Sequence, residues 1–332
     1  MSTADTTVYT LADLETWSRP GTHLAVLGRP IAHSLSPLMH NAALAQMAAR
    51  SPRYRDWRYH RFDIAPEDLP RALAIFHEKK FHGLNLTAPH KVIALDCVAE
   101  IDPAAAPAGA VNTLTWTANG WHGANTDGHG LATAIRETLG LELRDSHILL
   151  LGAGGAARGA AVECLQRRCA SLAIANRTRA NLAALLDAMR PLAGDIPLSA
   201  FQPFSPSAFL VINATSSGLR PADAPPIDLA AFPANARPLA VFDMIYNPPQ
   251  TPLLAQAAAL GIPRANGLSM LIHQGARSLE IWTGEKIPVE AMRNALQEAR
   301  KPESQETRKP EGQNPKPKTL LPPARQRPNC KP

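Results

Sequence analysis

The chain is poor in cysteine and has no long apolar run. Only four of its 332 residues are cysteine: Cys97, Cys164, Cys169 and Cys330. None forms a C-x-x-C pair and no second cluster completes a zinc set, so no metal site is expected. Free thiols fit a reducing cytoplasm. No stretch reaches the roughly 18 apolar residues that a membrane span needs. Residues 1–22 lack the apolar centre of a signal peptide. The expectation is a cytoplasmic protein without membrane contact. Repeats of solenoid length are missing as well. Charge imbalance is confined to one place. The net charge is +6, but residues 301–332 carry eight Lys/Arg, three Glu and eight prolines, and so supply +5 of it. The remainder is nearly neutral, which removes nucleic acid as an expected partner. The tail reads as a disordered, basic, Pro-rich appendage.

A length of 332 residues exceeds what one core usually organises, so two domains are expected. Strand and helix patterns alternate, which predicts an α/β fold with largely parallel sheets. HLAVL (residues 23–27) reads as a buried strand. Residues 37–49 read as a helix, with Ser36 as N-cap, Pro37 at its first position and Met39, Ala43 and Met47 facing the core. Residues 54–64 read as a strand and 66–80 as a helix. FHGLNLT is a third strand, followed by a helix from about Lys91. Residues 108–127 read as two strands around an Asn119-Gly120 turn. A second unit starts near Thr126 and runs through strand, glycine loop, helix, strand and helix. From residue 267 the pattern turns helical, and these helices are expected to return to the first unit.

Residues 147–161, HILLLGAGGAARGAA, place Gly152, Gly154 and Ala157 at G-x-G-x-x-A spacing between an apolar strand and an Ala-rich helix. Those flanks are what a dinucleotide-binding loop requires. Gly152 makes the turn, Gly154 lets backbone approach a pyrophosphate, and Ala157 permits close packing. An acidic residue at the end of the next strand would favour NAD, and none is there. The segment supplies Asn176, Arg177, Thr178 and Arg179 instead, which suit the 2′-phosphate of NADP.

Other polar residues gather near strand ends. GRPIAHSLSPLMHN (residues 28–41) sets Ser34 and Ser36 beside a helix start, where free N–H groups favour an anion. NLTAPHK, AVNT and NTDGHG follow. In them Lys91 and Asp127 are candidates for proton transfer: an ammonium can stabilise and protonate an alkoxide, and a carboxylate beside it fixes its position. His33 and His90 read as packing residues.

With GRPIAHSLSPLMHN, GLNLTAPHK, GAVNT, NTDGHG, GAGGAAR, NRT, NATSSGL, DMIYNPPQTPLL and NGLSMLIHQGA in order from Gly28 to Ala276, the chain resembles the shikimate dehydrogenase family. The resemblance implies an NADP-dependent reduction of 3-dehydroshikimate to shikimate. It implies a substrate-binding domain (residues 23–125 plus helices at about 267–300) and a Rossmann-type NADP domain (126–266), with the active site in the cleft. Residues 1–22 and the tail fall outside it. Ser34 and Ser36 inherit carboxylate binding. Asn85, Thr87, Asn112, Asp127 and Gln274 inherit contacts to ring hydroxyls, and Tyr246 a substrate contact. Lys91 and Asp127 inherit catalysis. Gly152, Ala153, Gly154, Gly155 and Ala156, with Asn176, Arg177 and Thr178, inherit the cofactor site, and Met244 and Gly267 its nicotinamide end. One departure concerns the phosphate: the family often has an arginine where Asn181 stands, and Arg179 is the substitute at hand. The neighbouring reading is a quinate/shikimate dehydrogenase with relaxed substrate or cofactor choice. A homodimer is a possible assembly.

Overall fold

The computed structural model describes residues 7–202, 209–220 and 222–300. The tail expected at 301–332 and Cys330 lie outside the described residues. In chain order the first half runs α1 (Leu11–Glu15), β1 (Thr22–Gly28), α2 (Ser36–Arg50), β2 (Trp57–Asp63), α3 (Leu69–Glu78), β3 (Gly83–Leu86), α4 (His90–Ile93), β4 (Glu100–Ile101), β5 (Thr113–Thr117), β6 (Gly120–Ala124) and α5 (Asp127–Leu139). The second half runs β7 (His147–Leu151), α6 (Gly155–Gln166), β8 (Ser171–Ala175), α7 (Arg179–Ala193), β9 (Leu198–Ala200), β10 (Phe209–Asn213), β11 (Ala240–Asp243), α8 (Pro252–Ala259), β12 (Arg264–Asn266), α9 (Leu268–Thr283) and α10 (Val289–Glu298).

The strands form two six-stranded sheets, ordered β2-β1-β3-β5-β6-β4 and β12-β11-β10-β7-β8-β9. Every pairing in the second sheet is parallel. Its central strands are apolar on both faces, as a sheet covered on both sides requires. Leu150, Ile212 and Phe242 enter one core, and Leu149, Val211 and Val241 the other. The first sheet is mixed: β2, β1 and β3 run parallel, while β5 and β6 are the antiparallel hairpin about Asn119-Gly120.

The expected core stripe of α2 is present, with Met39, Ala43 and Met47 buried. Burying a side chain of Met size contributes about 1.5–3 kcal/mol. The N-cap assignment needs correction. The helix begins at Ser36 itself, and its N-cap Leu35 makes no side-chain cap. The hydroxyl of Ser34 takes the Ser36 N–H instead, at 3.3 Å. Two other spans are shorter than the pattern suggests. β2 starts at Trp57, because residues 52–54 form a single 3-10 turn. A similar turn over Pro66–Asp68 precedes α3.

Residues 9–17 are part of the first core. Tyr9, Leu14 and Trp17 are buried against Phe62 and Phe81. Thr10 and Asp13 form a reciprocal capping box on α1. At the other end α9 returns to the first sheet. The Trp282 indole donates to the Leu114 carbonyl at 3.0 Å, and Gly83 leaves the room its ring fills. No helix among the described residues is long and apolar enough to cross a membrane.

Candidate active site

Parallel strands bring their C-terminal ends to one edge, and the loops beyond them collect there. The turn after β3 lies against the loop after β1. The Thr87 N–H donates to the Leu27 carbonyl at 2.9 Å, and Arg29 N–H to the Ala88 carbonyl at 3.4 Å. A Cβ at Gly28 would collide with the Thr87 methyl, so glycine is needed for this approach. Thr87 is half-buried beside Lys91, which sits in the single turn of α4. The Lys91 carbonyl accepts from Val111 N–H at 2.9 Å, which fixes α4 against the segment that carries Asn112 into β5.

Lys91 Nζ lies 2.5 Å from Asp127 Oδ2. Their side chains are 30% and 24% exposed, so the pair is sheltered yet open to a ligand. Asp127 stands in the first turn of α5, where the helix dipole favours a carboxylate. Its Oδ1 accepts from Asn112 Nδ2 at 2.9 Å. The same amide reaches Thr126 Oγ1 at 3.0 Å and Gln274 Oε1 at 3.4 Å. Two N–H hydrogens face three acceptors, so the long contact to Gln274 is the one most readily exchanged.

Behind this row lies a buried polar network that sequence reading missed. Asn85 accepts from the Tyr59 hydroxyl at 2.8 Å. Its amide donates to Ser278 Oγ, to the Asn112 carbonyl and to Thr113 Oγ1 at 2.9–3.2 Å. Ser278 also meets Thr113 and Thr126 at 2.8 and 3.2 Å. Asn85 thus spends its N–H groups on the protein and holds Asn112 from behind. Asn41, one of the polar residues of the Ser34 segment, bonds both backbone groups of Tyr59 at 2.9 Å and so seals the outer edge of β2. His40 is fully buried, donates from Nδ1 to the Ser36 carbonyl at 2.8 Å, and stacks on Tyr59 at 4.0 Å. Burial drives its pKa down to about 4 against that hydrogen bond.

The glycine loop faces the pair across a cleft of about 330 Å³, lined among others by Lys91, Asp127, Gly155, Ala156 and Met244. Gly152 has φ +115° and would press a Cβ onto the Ala214 carbonyl. Gly154 and Gly155 differ, because no protein atom lies within 4 Å of where their Cβ would be. Ala153 is half-buried against the second core, Ala156 is exposed, and Ala157 is fully buried under the helix. No side chain caps α6, so its first N–H groups face the space left by the glycines. This is the cradle a pyrophosphate fits. At the next strand end, Asn176 Nδ2 bonds the Thr178 carbonyl at 3.0 Å and shapes the turn. Arg177, Thr178 and Arg179 are exposed beside it, and among the described residues neither arginine has an ion-pair partner. That donor set suits a phosphate. Gly267 packs directly on the Met244 backbone, which leaves no room for a side chain there. Met244 itself lines the cleft.

Tyr246 is half-buried in the loop after β11. Its carbonyl accepts from Arg300 at 3.1 Å, and burial raises its phenol above the usual range. The motif segments NATSSGL and DMIYNPPQTPLL have a structural explanation. Buried Asp243 accepts from Asn213, Ile245 N–H and Thr251 at 2.6–3.1 Å and locks the loops after β10 and β11 together. A larger cavity of about 470 Å³ lies elsewhere, near Arg264 and Arg293, away from these groups. Among the described residues no cluster could hold a metal ion.

Three family models match the chain. They are the shikimate dehydrogenase substrate binding domain over residues 26–114, shikimate / quinate 5-dehydrogenase over 133–248, and the shikimate 5'-dehydrogenase C-terminal domain over 267–297. Shikimate dehydrogenase (NADP(+)) of Citrifermentans bemidjiense is 40% identical over 279 residues, covering 82% of this chain and 93% of that one. The Methanocella arvoryzae protein of the same name is 40% identical over 276 residues, covering 82% and 97%. Among solved structures, Thermus thermophilus shikimate 5-dehydrogenase in complex with NADP(H) and shikimate superposes with a TM-score of 0.70 at 32% identity, covering 84% and 99%. With its cleft, its glycine loop and this kinship over four-fifths of its length, the chain belongs to the shikimate dehydrogenase family.

Proposed function

We propose that this protein is an NADP-dependent shikimate dehydrogenase, which interconverts 3-dehydroshikimate and shikimate on the route to aromatic amino acids. The observation that carries the reading is the 2.5 Å Lys91–Asp127 pair in a cleft faced by an uncapped glycine loop. Its relatives bear that name, and the Thermus crystal holds both ligands.

The chemistry that a bound NADPH supplies is a hydride for the ring carbonyl carbon. Lys91 donates a proton to the carbonyl oxygen as negative charge develops there. Asp127 takes one ammonium N–H and leaves the others for the substrate. Ser34 accepts the Ser36 N–H, so its own hydroxyl hydrogen is free to point at the substrate carboxylate, with Ser36 beside it. Asn85, Thr87, Asn112, Asp127 and Gln274 hold ring hydroxyls, Asn85 also supporting Asn112 from behind, and Tyr246 contacts the substrate. Gly152 to Ala156 hold the pyrophosphate, and Met244 and Gly267 bound the nicotinamide. Asn176, Arg177 and Thr178 take the 2′-phosphate, with Arg179 in place of the arginine absent at Asn181. Residues 23–125 with 267–300 make the substrate domain, and 126–266 the NADP domain.

A spectrophotometric assay crossing shikimate and quinate with NADP and NAD tests this. Shikimate with NADP is expected to give the highest kcat/KM by about tenfold or more, the weight of one charged hydrogen bond. Preference for NAD or quinate would replace the reading by a quinate/shikimate dehydrogenase. Free Cys97, Cys164 and Cys169 support a cytoplasmic site, which fractionation tests. Sedimentation decides between monomer and homodimer.

A further inference from the structure

The motif NGLSMLIHQGA contains two polar residues that the proposed reaction leaves without a task, Ser269 and His273. They stand four residues apart on α9 and so share a face. That face meets α5, where Glu137 takes both. The Ser269 hydroxyl and the His273 Nε2–H, the latter at 3.1 Å, donate to one carboxylate oxygen, Oε2. The other oxygen, Oε1, accepts from Arg293 Nη2 of α10 at 2.5 Å. Arg293 also reaches Glu290 on its own helix at 3.4 Å. One carboxylate therefore joins three helices. Burial alone would raise its pKa, but Ser269, His273 and Arg293 together hold it below the usual carboxylate range.

The same joint carries part of the proposed site. α5 presents Asp127 in its first turn, and α9 presents Gln274 directly after His273. The two helices are in direct contact at Gly130, where a Cβ would lie 2.8 Å from both Gln274 Cβ and the Met270 carbonyl. Around that point the contact is apolar: Leu131, Ala134 and Ile135 of α5 share a core with Met270 of α9. Apolar packing is non-directional and does not by itself fix the rotation of α9 about its axis. Hydrogen bonds to Glu137 do, because they need their donors in place. A rotation that they prevent would carry Gln274 with it. The Gln274 amide has little hold of its own. Its Nε2 donates within α9, to the Leu271 carbonyl at 2.9 Å, and its Oε1 meets Asn112 only at 3.4 Å. Glu137 itself is remote from the chemistry. It is ten positions beyond Asp127, about 15 Å along the helix. Its partners Ser269 and Arg293 line the larger cavity, and none of the four residues lines the catalytic cleft.

We propose that Glu137 is a positioning residue for substrate recognition: by bonding Ser269 and His273 of α9 and Arg293 of α10 it sets the rotation of α9, and with it the place of the Gln274 amide beside Asn112. Glu137 acts through Gln274 without touching the ligand. The inference rests on the function proposed above, in which Gln274 holds a ring hydroxyl. It gives a task to two motif residues and adds a third from outside the motif series.

The test is a double-mutant cycle in steady-state kinetics at saturating NADP, on wild type, Glu137→Gln, Gln274→Ala and the double variant. An amide at position 137 has one oxygen, so it cannot serve both α9 and α10. Glu137→Gln is expected to raise KM for shikimate about 3- to 10-fold, the range for losing one neutral hydrogen bond to the ligand. It should leave kcat and the KM for NADP within about twofold, since uniform substrate binding alone is affected. Gln274→Ala should raise KM by a similar factor. In the Gln274→Ala background the Glu137→Gln change should then add less than about twofold, because residues that act as one unit are not additive. His273→Ala removes one bond from the α9 side; it carries the same expectation and stands in if Glu137→Gln does not fold. Independent, multiplying losses in the double variant would overturn the proposal. So would a lowered melting temperature with an unchanged KM, which is what a merely structural tie gives. A Gln274→Ala enzyme with the wild-type KM would overturn it too, because Glu137 would have nothing to position. A wild type inactive on shikimate would sink the proposed function instead, so the two failures are distinguishable.

Discussion

Lys91 presents three N–H hydrogens, and Asp127 engages one of them at 2.5 Å. The carboxylate is in turn tethered by Asn112, and Asn112 by Thr126. The ammonium therefore has one place to be, and its remaining donors face the cleft. Lys91→Ala removes the proposed proton donor while leaving Ser34, Asn112 and the glycine loop untouched. It should lower kcat by roughly 10²–10⁴-fold, the usual weight of a positioned acid–base group. KM for shikimate should change by less than about tenfold, since Lys91 is one of several proposed ligand contacts. Stopped-flow measurement of the hydride step separates this from slow product release. Near-normal turnover in a folded variant would take Lys91 out of the mechanism.

At the scale of elements, the glycine loop shows two glycines present for opposite reasons. Gly152 has φ +115° and the Ala214 carbonyl 3.0 Å from its missing Cβ. Gly152→Val should destabilise the fold itself by about 1–3 kcal/mol, the cost of a strained backbone residue. Gly154 has φ −89°, and empty space lies where its side chain would be. Gly154→Val should keep the wild-type melting temperature and weaken NADP binding by about tenfold or more, because the valine occupies the pyrophosphate cradle. Calorimetric titration and a thermal melt on both variants give the comparison. Equal melting losses would mean that the space at Gly154 has another occupant. The next strand end is where the proposed function puts the cofactor choice. Arg177→Ala should raise Kd for NADP by about 10- to 150-fold, from ~1.5–3 kcal/mol for a charged hydrogen bond, and hardly move Kd for NAD. If Arg179 shares the phosphate, the single variant sits at the low end and the double variant loses more. Equal losses for both cofactors would show that the arginines only support the loop. These elements were legible in the sequence because strand, turn glycine and helix follow one another within a few residues. So were Lys91 and Asp127, from motifs at strand ends. What escaped is of two kinds. β4, β9 and β12 have two or three residues each, too few for any periodicity to register. The network partners Tyr59, Thr113, Thr126 and Ser278 meet only through the fold: Asn85 and Ser278 are 193 positions apart. The cap at Ser36 was misplaced because Ser34 and Ser36 have the same local chemistry. Only the folded loop shows that it is the Ser34 hydroxyl that takes an N–H there.

The molecule divides its aromatic residues unevenly, and this gives each sheet its own reporter. All five tryptophans, Trp17, Trp57, Trp116, Trp121 and Trp282, pack about the first sheet, so tryptophan fluorescence follows that half alone. Acid should weaken it in a defined window. His40 is buried between α2 and Tyr59, and burial holds its pKa at about 4, below the 6.5 of the unfolded chain. Between those values the unfolded chain binds a proton that the folded one refuses. Stability is therefore intact above pH 6.5 and is lost as pH falls toward 4, with nothing further from this group below that. The contribution is about 3 kcal/mol, from the two pKa values at 1.36 kcal/mol per unit. Burial shifts His23 and His90 in the same direction, which adds to the loss. Asp243 acts oppositely. Burial raises its carboxyl, so the folded state gains relative stability on acidification, but it lies in the second sheet, out of the tryptophans' reach. Urea unfolding should accordingly be followed by tryptophan fluorescence at pH 7.5, 6.5, 5.5 and 4.5. The midpoint should hold between the first two and then fall step by step. A midpoint that stays level down to pH 4.5 would mean that His40 takes up its proton in the folded state. The stack on Tyr59 and the bond to the Ser36 carbonyl would then have to accommodate an imidazolium beside the loop proposed to bind the carboxylate.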